Sequence, residues 1–147
     1  MKKSISQSTL DAKGMLHAAG FRATKMRIAV LEYLDATSKP VSAKEVFSAL
    51  QKKGAVDKVT IYRILNGLVE TGLAHIIDFR HGHTYYEIAT REHHHHIICE
   101  ICKSVSHIDC NISDIQKEAK RKAKFATIRQ HSLEFFGTCN ACYTNEA

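Results

Sequence analysis

Four stretches in the first half of the chain carry apolar residues at the three- and four-residue spacing of an amphipathic helix. Thr24 is an N-cap candidate for the second helix, and the S-x-x-E sequence beginning at Ser42 is a capping box that opens the third. Gly72 has the position of a C′ glycine after the fourth. The pattern therefore predicts helices at about residues 8–19, 25–34, 43–54 and 57–71.

The hydrophobic pattern then changes to short β-rich stretches at residues 74–79 and 84–89. A four-residue connection that contains Gly82 joins them, which is typical of a β-hairpin. Helices followed directly by a hairpin indicate a winged helix-turn-helix, with the helix at residues 57–71 in the position that enters a DNA groove.

A second alternating pattern follows a candidate hinge at residues 89–92. It predicts a strand that ends at Cys99, a strand at residues 105–109, a helix at about 112–124 and a strand at about 127–136. The sequence thus predicts an α+β protein with a winged-helix DNA-binding domain at residues 1–89 and a small α/β domain at residues 90–147. A domain of that size needs a staple, and bound zinc would supply one.

Composition narrows the function classes. The 147 residues are 44% hydrophobic but contain no apolar run of 18, and polar residues follow Met1, so neither a membrane span nor a secretory signal is expected. We therefore expect a cytoplasmic protein. The formal net charge of +6 favours a polyanionic partner.

Two cysteine pairs of identical spacing carry the clearest chemistry: Cys99-x2-Cys102 and Cys139-x2-Cys142. Thiolates bind Zn²⁺ tetrahedrally, and in a reducing compartment paired cysteines hold metal more often than they form disulfides. The pairs predict a closed, structural Cys₄ zinc site; the alternatives are a disulfide and a redox dithiol. The fifth cysteine, Cys110, has no partner by spacing and is interpreted as a small buried residue.

Four consecutive histidines, His93 to His96, precede the first cysteine pair. Because side chains alternate along an extended segment, His94 and His96 point the same way and can chelate one ion, while His93 and His95 face the other way. A closed Cys₄ site leaves these imidazoles free for a second purpose.

The order of motifs resembles the ferric uptake regulator family of bacterial metal-dependent repressors over about residues 12–143. The resemblance rests on Thr60-Ile61-Tyr62-Arg63, Tyr86-Glu87, the histidine run with the first cysteine pair, His131-Ser132-Leu133-Glu134, and the second cysteine pair. It implies a homodimer, with tetramers possible on DNA, whose two winged helices grip operator DNA.

The resemblance also implies which residues bind DNA. Tyr62 would contact bases and Arg63 would contact phosphate. Further candidates for DNA contact, on the same helix and in or just before the second helix, are Lys58, Thr60, Asn66, Arg22, Lys25 and Arg27.

For the regulatory metal, the resemblance implies His94 and His96 together with Glu87. His75 stands where zinc-sensing members carry a ligand, and His107 is a less certain fifth ligand. This donor set suits Zn²⁺, Fe²⁺ or Mn²⁺. The resemblance further implies an additional metal site formed by His93, His95, Asp114 and His131.

Within the family the chain is most similar to the zinc uptake regulator branch. Iron- and peroxide-sensing members usually carry a ligand where this chain has Pro40, whereas Glu87 stands where the zinc branch often has Cys and so keeps an iron-responsive alternative open. Outside the family, the alternatives are a zinc hydrolase and a zinc-stapled protein-interaction module. The sequence has no deaminase pattern and only Glu87 as an obvious base near the histidines, so we expect no enzyme.

Overall fold

The computed structural model describes residues 10–37, 39–79, 82, 84–89, 93–129, 131 and 133–146. The chain divides into two compact units, Met1–Thr90 and Arg91–Ala147. Three residues of the predicted hinge, at 90–92, and the start of the first predicted helix lie outside the described residues. In the described parts of the chain, no helix has both the length and the apolar character needed to cross a bilayer.

Helices dominate the first unit, and three of them begin at the capping residues that their sequences indicate. Thr24 Oγ1 accepts a hydrogen bond from Arg27 N, Ser42 and Glu45 form a reciprocal capping box, and an Asp57 oxygen accepts from Thr60 N. The elements are α1 (Ala12–Ala18), α2 (Lys25–Ala36), β1 (Val41–Ser42), α3 (Ala43–Leu50), α4 (Lys58–Glu70), β2 (Ala74–Asp78) and β3 (Thr84–Ile88).

The core of this unit lies between the helices and a small antiparallel sheet of order β1-β3-β2. Every helix contributes fully buried side chains, among them Leu16, Leu31, Leu34, Leu50, Ile61 and Leu65. Strand β3 runs between the other two, with Tyr86 opposite both Val41 and Ile76. The Tyr86 hydroxyl donates to Asn66 Oδ1 at 3.2 Å and so ties α4 to the sheet. The predicted winged helix-turn-helix is confirmed.

The second unit contains a sheet of order β5-β4-β6, in which β4 pairs antiparallel with β5 and parallel with β6. A helix links β5 to β6, and a last helix follows β6. The elements are β4 (His94–Cys99), β5 (Val105–Asp109), α5 (Ser113–Ala123), β6 (Glu134–Gly137) and α6 (Asn140–Glu146).

The strand predicted at residues 127–136 is wrong over most of its length, because only Glu134–Gly137 is a strand. Strand β6 pairs with β4 over four residues, from Glu134 opposite His96 to Gly137 opposite Cys99, and the pairing ends there. The sequence analysis also missed the two-residue strand β1 and the terminal helix α6.

Candidate metal centres and nucleic-acid interface

The four paired cysteines converge in the second unit. Cys99 ends β4, Cys102 follows a tight turn, Cys139 precedes α6 and Cys142 lies within it. All four sulfurs lie within 4.8 Å of one another, and Cys102 Sγ is 3.7 Å from Cys139 Sγ. A tetrahedron with zinc–sulfur bonds of about 2.3 Å has edges of about 3.8 Å, whereas a disulfide bond is only about 2.05 Å long. The spacing therefore fits four ligands around one Zn²⁺.

The thiols of this Cys₄ site divide into easily and poorly ionised groups. Hydrogen bonding, first from the backbone N–H of Cys139 at 3.3 Å, lowers the pKa of Cys99 to about 6. The pKa of Cys102 is lowered chiefly by its hydrogen bond with the Ser104 side chain. The pKa of Cys142 is raised to about 12, first by hydrogen bonding with Cys139 and then by burial. Crowded thiolates repel, so a dication that replaces the protons suits this cluster.

One residue of the Cys₄ turn adopts an unfavourable backbone conformation. Lys103 has φ 61°, in the left-handed region, and its N–H donates to Cys99 O at 2.9 Å. That region costs an L-residue other than glycine roughly 1–2 kcal/mol.

We therefore expect Lys103→Gly to raise the free energy of unfolding of the zinc-loaded protein by about 0.5–1 kcal/mol. Urea titration followed by circular dichroism measures the change. The control is Lys117→Gly inside α5, where glycine should destabilise by about 1 kcal/mol. Equal losses of stability in both variants would contradict the assignment of strain to Lys103.

Three imidazoles gather on one face of the second unit's sheet. His96 on β4 lies opposite His107 on β5, and His94 lies two residues earlier on the same face. Their ring centroids are 4.9 Å (His94–His96), 4.7 Å (His94–His107) and 5.3 Å (His96–His107) apart. The structure thus brings together three of the five predicted regulatory ligands.

The other two predicted regulatory ligands belong to the first unit. His75 on β2 and Glu87 on β3 are directly opposed in the antiparallel register, so their side chains leave the same face of that sheet. Glu87 is buried and His75 is exposed.

A second imidazole group lies on the opposite face of β4. His131 Nε2 is 2.7 Å from His93 Nε2, 3.2 Å from His95 Nε2 and 3.4 Å from Cys110 Sγ. Burial, and after it the neighbouring imidazoles, lower the pKa of both His93 and His95. Both effects favour neutral rings, the form in which histidine binds metal.

This group corrects two interpretations drawn from the sequence. Asp114 is not a member: its carboxylate is exposed and lies 3.5 Å from Lys117 Nζ. Cys110, interpreted from the sequence as a small buried residue, is half-buried and stands among the donors.

Helix α4 has the two faces that a groove-binding helix needs. Ile61, Ile64, Leu65 and Leu68 are buried, while Val59, Tyr62, Arg63 and Asn66 form an exposed stripe with the same spacing. Tyr62 is 50% exposed. Lys58 stands in the first turn, with its Nζ 5.6 Å from the Phe47 ring.

Two of the predicted DNA contacts on α4 already have structural partners. Thr60 Oγ1 donates to Asp57 Oδ2 at 2.6 Å at the helix start, and Asn66 Oδ1 accepts from Tyr86. Each can therefore position α4 as well as contact a partner.

The basic residues at the start of α2 are partly held in place. Lys25 and Arg22 are exposed. The Arg27 guanidinium lies 4.8 Å from the centre of the Phe21 ring and donates to Arg22 O at 2.9 Å. A Cβ on Gly67 would lie 2.9 Å from Phe21 Cζ, so the ring packs closely on α4. These contacts fix the basic segment relative to the exposed stripe of that helix.

Known proteins share this arrangement. The sequence profile of the Ferric uptake regulator family matches residues 18–136. The ferric uptake regulation protein of Legionella pneumophila is 32% identical, over 90% of this chain and 99% of its own. The zinc uptake regulation protein of Mycobacterium tuberculosis is 30% identical, over 86% of this chain and 98% of its own.

A crystal structure of the Vibrio cholerae ferric uptake regulator superposes with a TM-score of 0.77 and 29% identity, covering 88% of this chain and all of the other. Together with the winged helix and the donor clusters, these matches identify the protein's class. The chain belongs to the ferric uptake regulator family and is a metal-responsive transcriptional regulator rather than an enzyme.

Proposed function

We propose that this protein is a zinc-responsive repressor that binds operator DNA as a homodimer and controls metal-uptake genes in the cytoplasm. Residues 1–89 read the DNA, and residues 90–147 dimerise and bind metal. The observation that carries the proposal is the group of three imidazoles, His94, His96 and His107, beside a separate site made only of cysteines. Imidazole is a ligand that suits zinc, and a second site is needed for a reversible signal.

In this proposal the regulatory ion joins the two units. His94 and His96 hold it from the second unit, with His107 as a further donor. Glu87, together with His75, supplies donors from the first, where the two emerge side by side from the sheet. Zinc in the Cys₄ site holds the second unit together and does not respond to supply.

The ion acts by shifting a population of conformations. Without it the DNA-binding units adopt many orientations, and with it they keep the spacing of two half-sites. Moving such an equilibrium from 1:99 to 99:1 requires about 5.5 kcal/mol of differential binding. A site with several donors can provide that difference, since structural zinc sites reach roughly 10–16 kcal/mol.

On the DNA, the exposed stripe of α4 enters the major groove. Tyr62 contacts bases and Arg63 contacts phosphate, with Lys58, Thr60 and Asn66 beside them. Arg22, Lys25 and Arg27 approach the backbone from the start of α2. The net charge of +6 favours this encounter.

The second candidate is an iron-responsive repressor of the same family. It is supported by the carboxylate of Glu87, a hard donor that suits Fe²⁺, and by the similarity to the Legionella pneumophila ferric uptake regulation protein. The two candidates differ in the metal and share the DNA-binding mechanism.

The test is DNA affinity as a function of buffered free metal. A duplex is first selected from a random pool with zinc-loaded protein, and its binding is then followed by fluorescence anisotropy. We expect half-maximal binding at a far lower free concentration of Zn²⁺ than of Fe²⁺, under anaerobic conditions, or Mn²⁺. Half-maximal binding at micromolar Zn²⁺ together with a response to Fe²⁺ would assign the protein to iron, and binding that ignores every metal would reject both candidates.

A further inference from the structure

We propose that Cys110 is the fourth ligand of the additional metal site, which with His93, His95 and His131 forms a His₃Cys centre for Zn²⁺, and that Asp114 is not a ligand. This inference rests on the proposed function only in so far as that function includes an additional metal site. It names a thiolate where the resemblance to the family predicted a carboxylate.

The geometry of the cluster supports four ligands around one point. His131 Nε2 lies 2.7 Å, 3.2 Å and 3.4 Å from His93 Nε2, His95 Nε2 and Cys110 Sγ. All four donor atoms lie within 4.8 Å of one another. Tetrahedral zinc, with bonds of about 2.0–2.3 Å, places its ligands about 3.3–3.8 Å apart, so small side-chain rotations suffice.

Strand register explains why Cys110 is present. His95 lies opposite Ile108 and His94 opposite Asp109 in the β4–β5 ladder. Continuing that register by one residue puts Cys110 across from His93 and on the face shared by His93 and His95. The backbone thus delivers the sulfur to the correct face of the sheet.

Asp114 has a different environment. It lies in the first turn of α5, its side chain is 94% exposed, and its nearest recorded charge is Lys117, at 3.5 Å. An acidic residue at that place is already accounted for, since a helix N-terminus favours negative charge.

Neighbouring groups are placed to orient the histidines. His131 Nδ1 is 3.1 Å from the side-chain amide of Gln116, and His95 hydrogen-bonds the Leu133 backbone. The Gln116 amide can present its oxygen to Nδ1–H, which leaves the Nε2 lone pair of His131 for a metal. Such outer partners are typical of histidine ligands at metal centres.

A thiolate changes which ion the site prefers. Sulfur is a soft donor that favours zinc over manganese or magnesium, and three imidazoles with one thiolate suit four-coordinate geometry. Binding releases the thiol proton of Cys110 as the metal–sulfur bond forms, so that one proton leaves for each ion bound at this centre.

Cobalt spectroscopy of the full-length chain tests the assignment. The background variant His94→Ala removes the other histidine site, and zinc is kept in the Cys₄ site. Titrated Co²⁺ should then give a thiolate-to-cobalt charge-transfer band in the near ultraviolet. Cys110→Ser should abolish the band and weaken Co²⁺ and Zn²⁺ binding by at least about tenfold, since even outer-shell losses cost roughly 10–100-fold.

Two further variants make the result decisive. Asp114→Asn should leave the band and the affinity unchanged, while Cys110→Asp should restore binding without the band. Elemental analysis must show zinc retained in the Cys₄ site, and circular dichroism must show a folded chain. Bound cobalt without a band, no cobalt binding, or a loss caused by Asp114→Asn alone would each overturn the proposal. DNA is absent, so failure of the repressor proposal would leave this result intact.

Discussion

Replacing Cys99 by serine unfolds the second unit and leaves the first unit folded. Cys99 is buried at the end of the central strand β4, and its sulfur accepts the N–H of Cys139, which begins the last segment of the chain. Zinc at this point therefore joins two segments 40 residues apart in sequence. A unit confined to residues 91–147 is small for a stable core of its own, and structural zinc contributes roughly 10–16 kcal/mol in zinc-finger peptides.

Hydrogen exchange followed by mass spectrometry measures this effect segment by segment. In Cys99→Ser we expect the amides of β4, β5 and β6 to lose protection, and those of α2, α3 and α4 to keep it. Size-exclusion chromatography should show monomers if the second unit carries the dimer interface. The matched control is Cys110→Ser, the same chemical change outside the Cys₄ site, which should retain one zinc and the wild-type protection of β4. Full protection of β4 in Cys99→Ser would mean that the site does not hold the unit together.

The helices of the first unit could be predicted because their signals are local. Thr24, Ser42 and Asp57 each cap the helix that their own neighbourhood indicates, and the apolar spacing of α4 specifies its buried face. Each of these signals is contained in a few consecutive residues. Local sequence is enough to read such elements.

The length of β6 and the place of α6 depend on distant partners. Residues 127–133 are apolar enough for a strand, yet pairing with β4 begins only at Glu134. Helix α6 is short and follows Cys139, so the cysteine spacing concealed its helical character. Tertiary pairing decides such segments, and a single sequence does not display it.

Cys110 shows the same limit at the metal site. Alternation along β4 already separates His93 and His95 from His94 and His96. The partner of His93 on β5, however, follows from the register of the hairpin, and one residue of slip would put Asp109 there instead. The signal that could have found Cys110 is its even spacing from Ile108, combined with the pairing of that residue with His95.

Replacing His94 by alanine leaves the protein folded and removes the response of DNA binding to metal. His94 is only half-buried, and its ring lies 4.9 Å and 4.7 Å from those of His96 and His107. Its loss takes one donor from the regulatory group without opening the core. For the wild type, zinc should raise DNA affinity by roughly 5–150-fold, the usual range of coupling between two sites. For His94→Ala that ratio should fall to near one.

The measurement is fluorescence anisotropy on one duplex, with and without buffered zinc, beside a thermal melt and elemental analysis of each variant. His17→Ala, the same substitution in the last turn of α1, is the control and should keep the wild-type ratio. A His94→Ala protein that lost its Cys₄ zinc or its fold would show that the two metal sites do not have separate roles. A folded variant with an undiminished zinc response would move regulation to the centre on the opposite face of β4, because that is the remaining histidine group among the described residues.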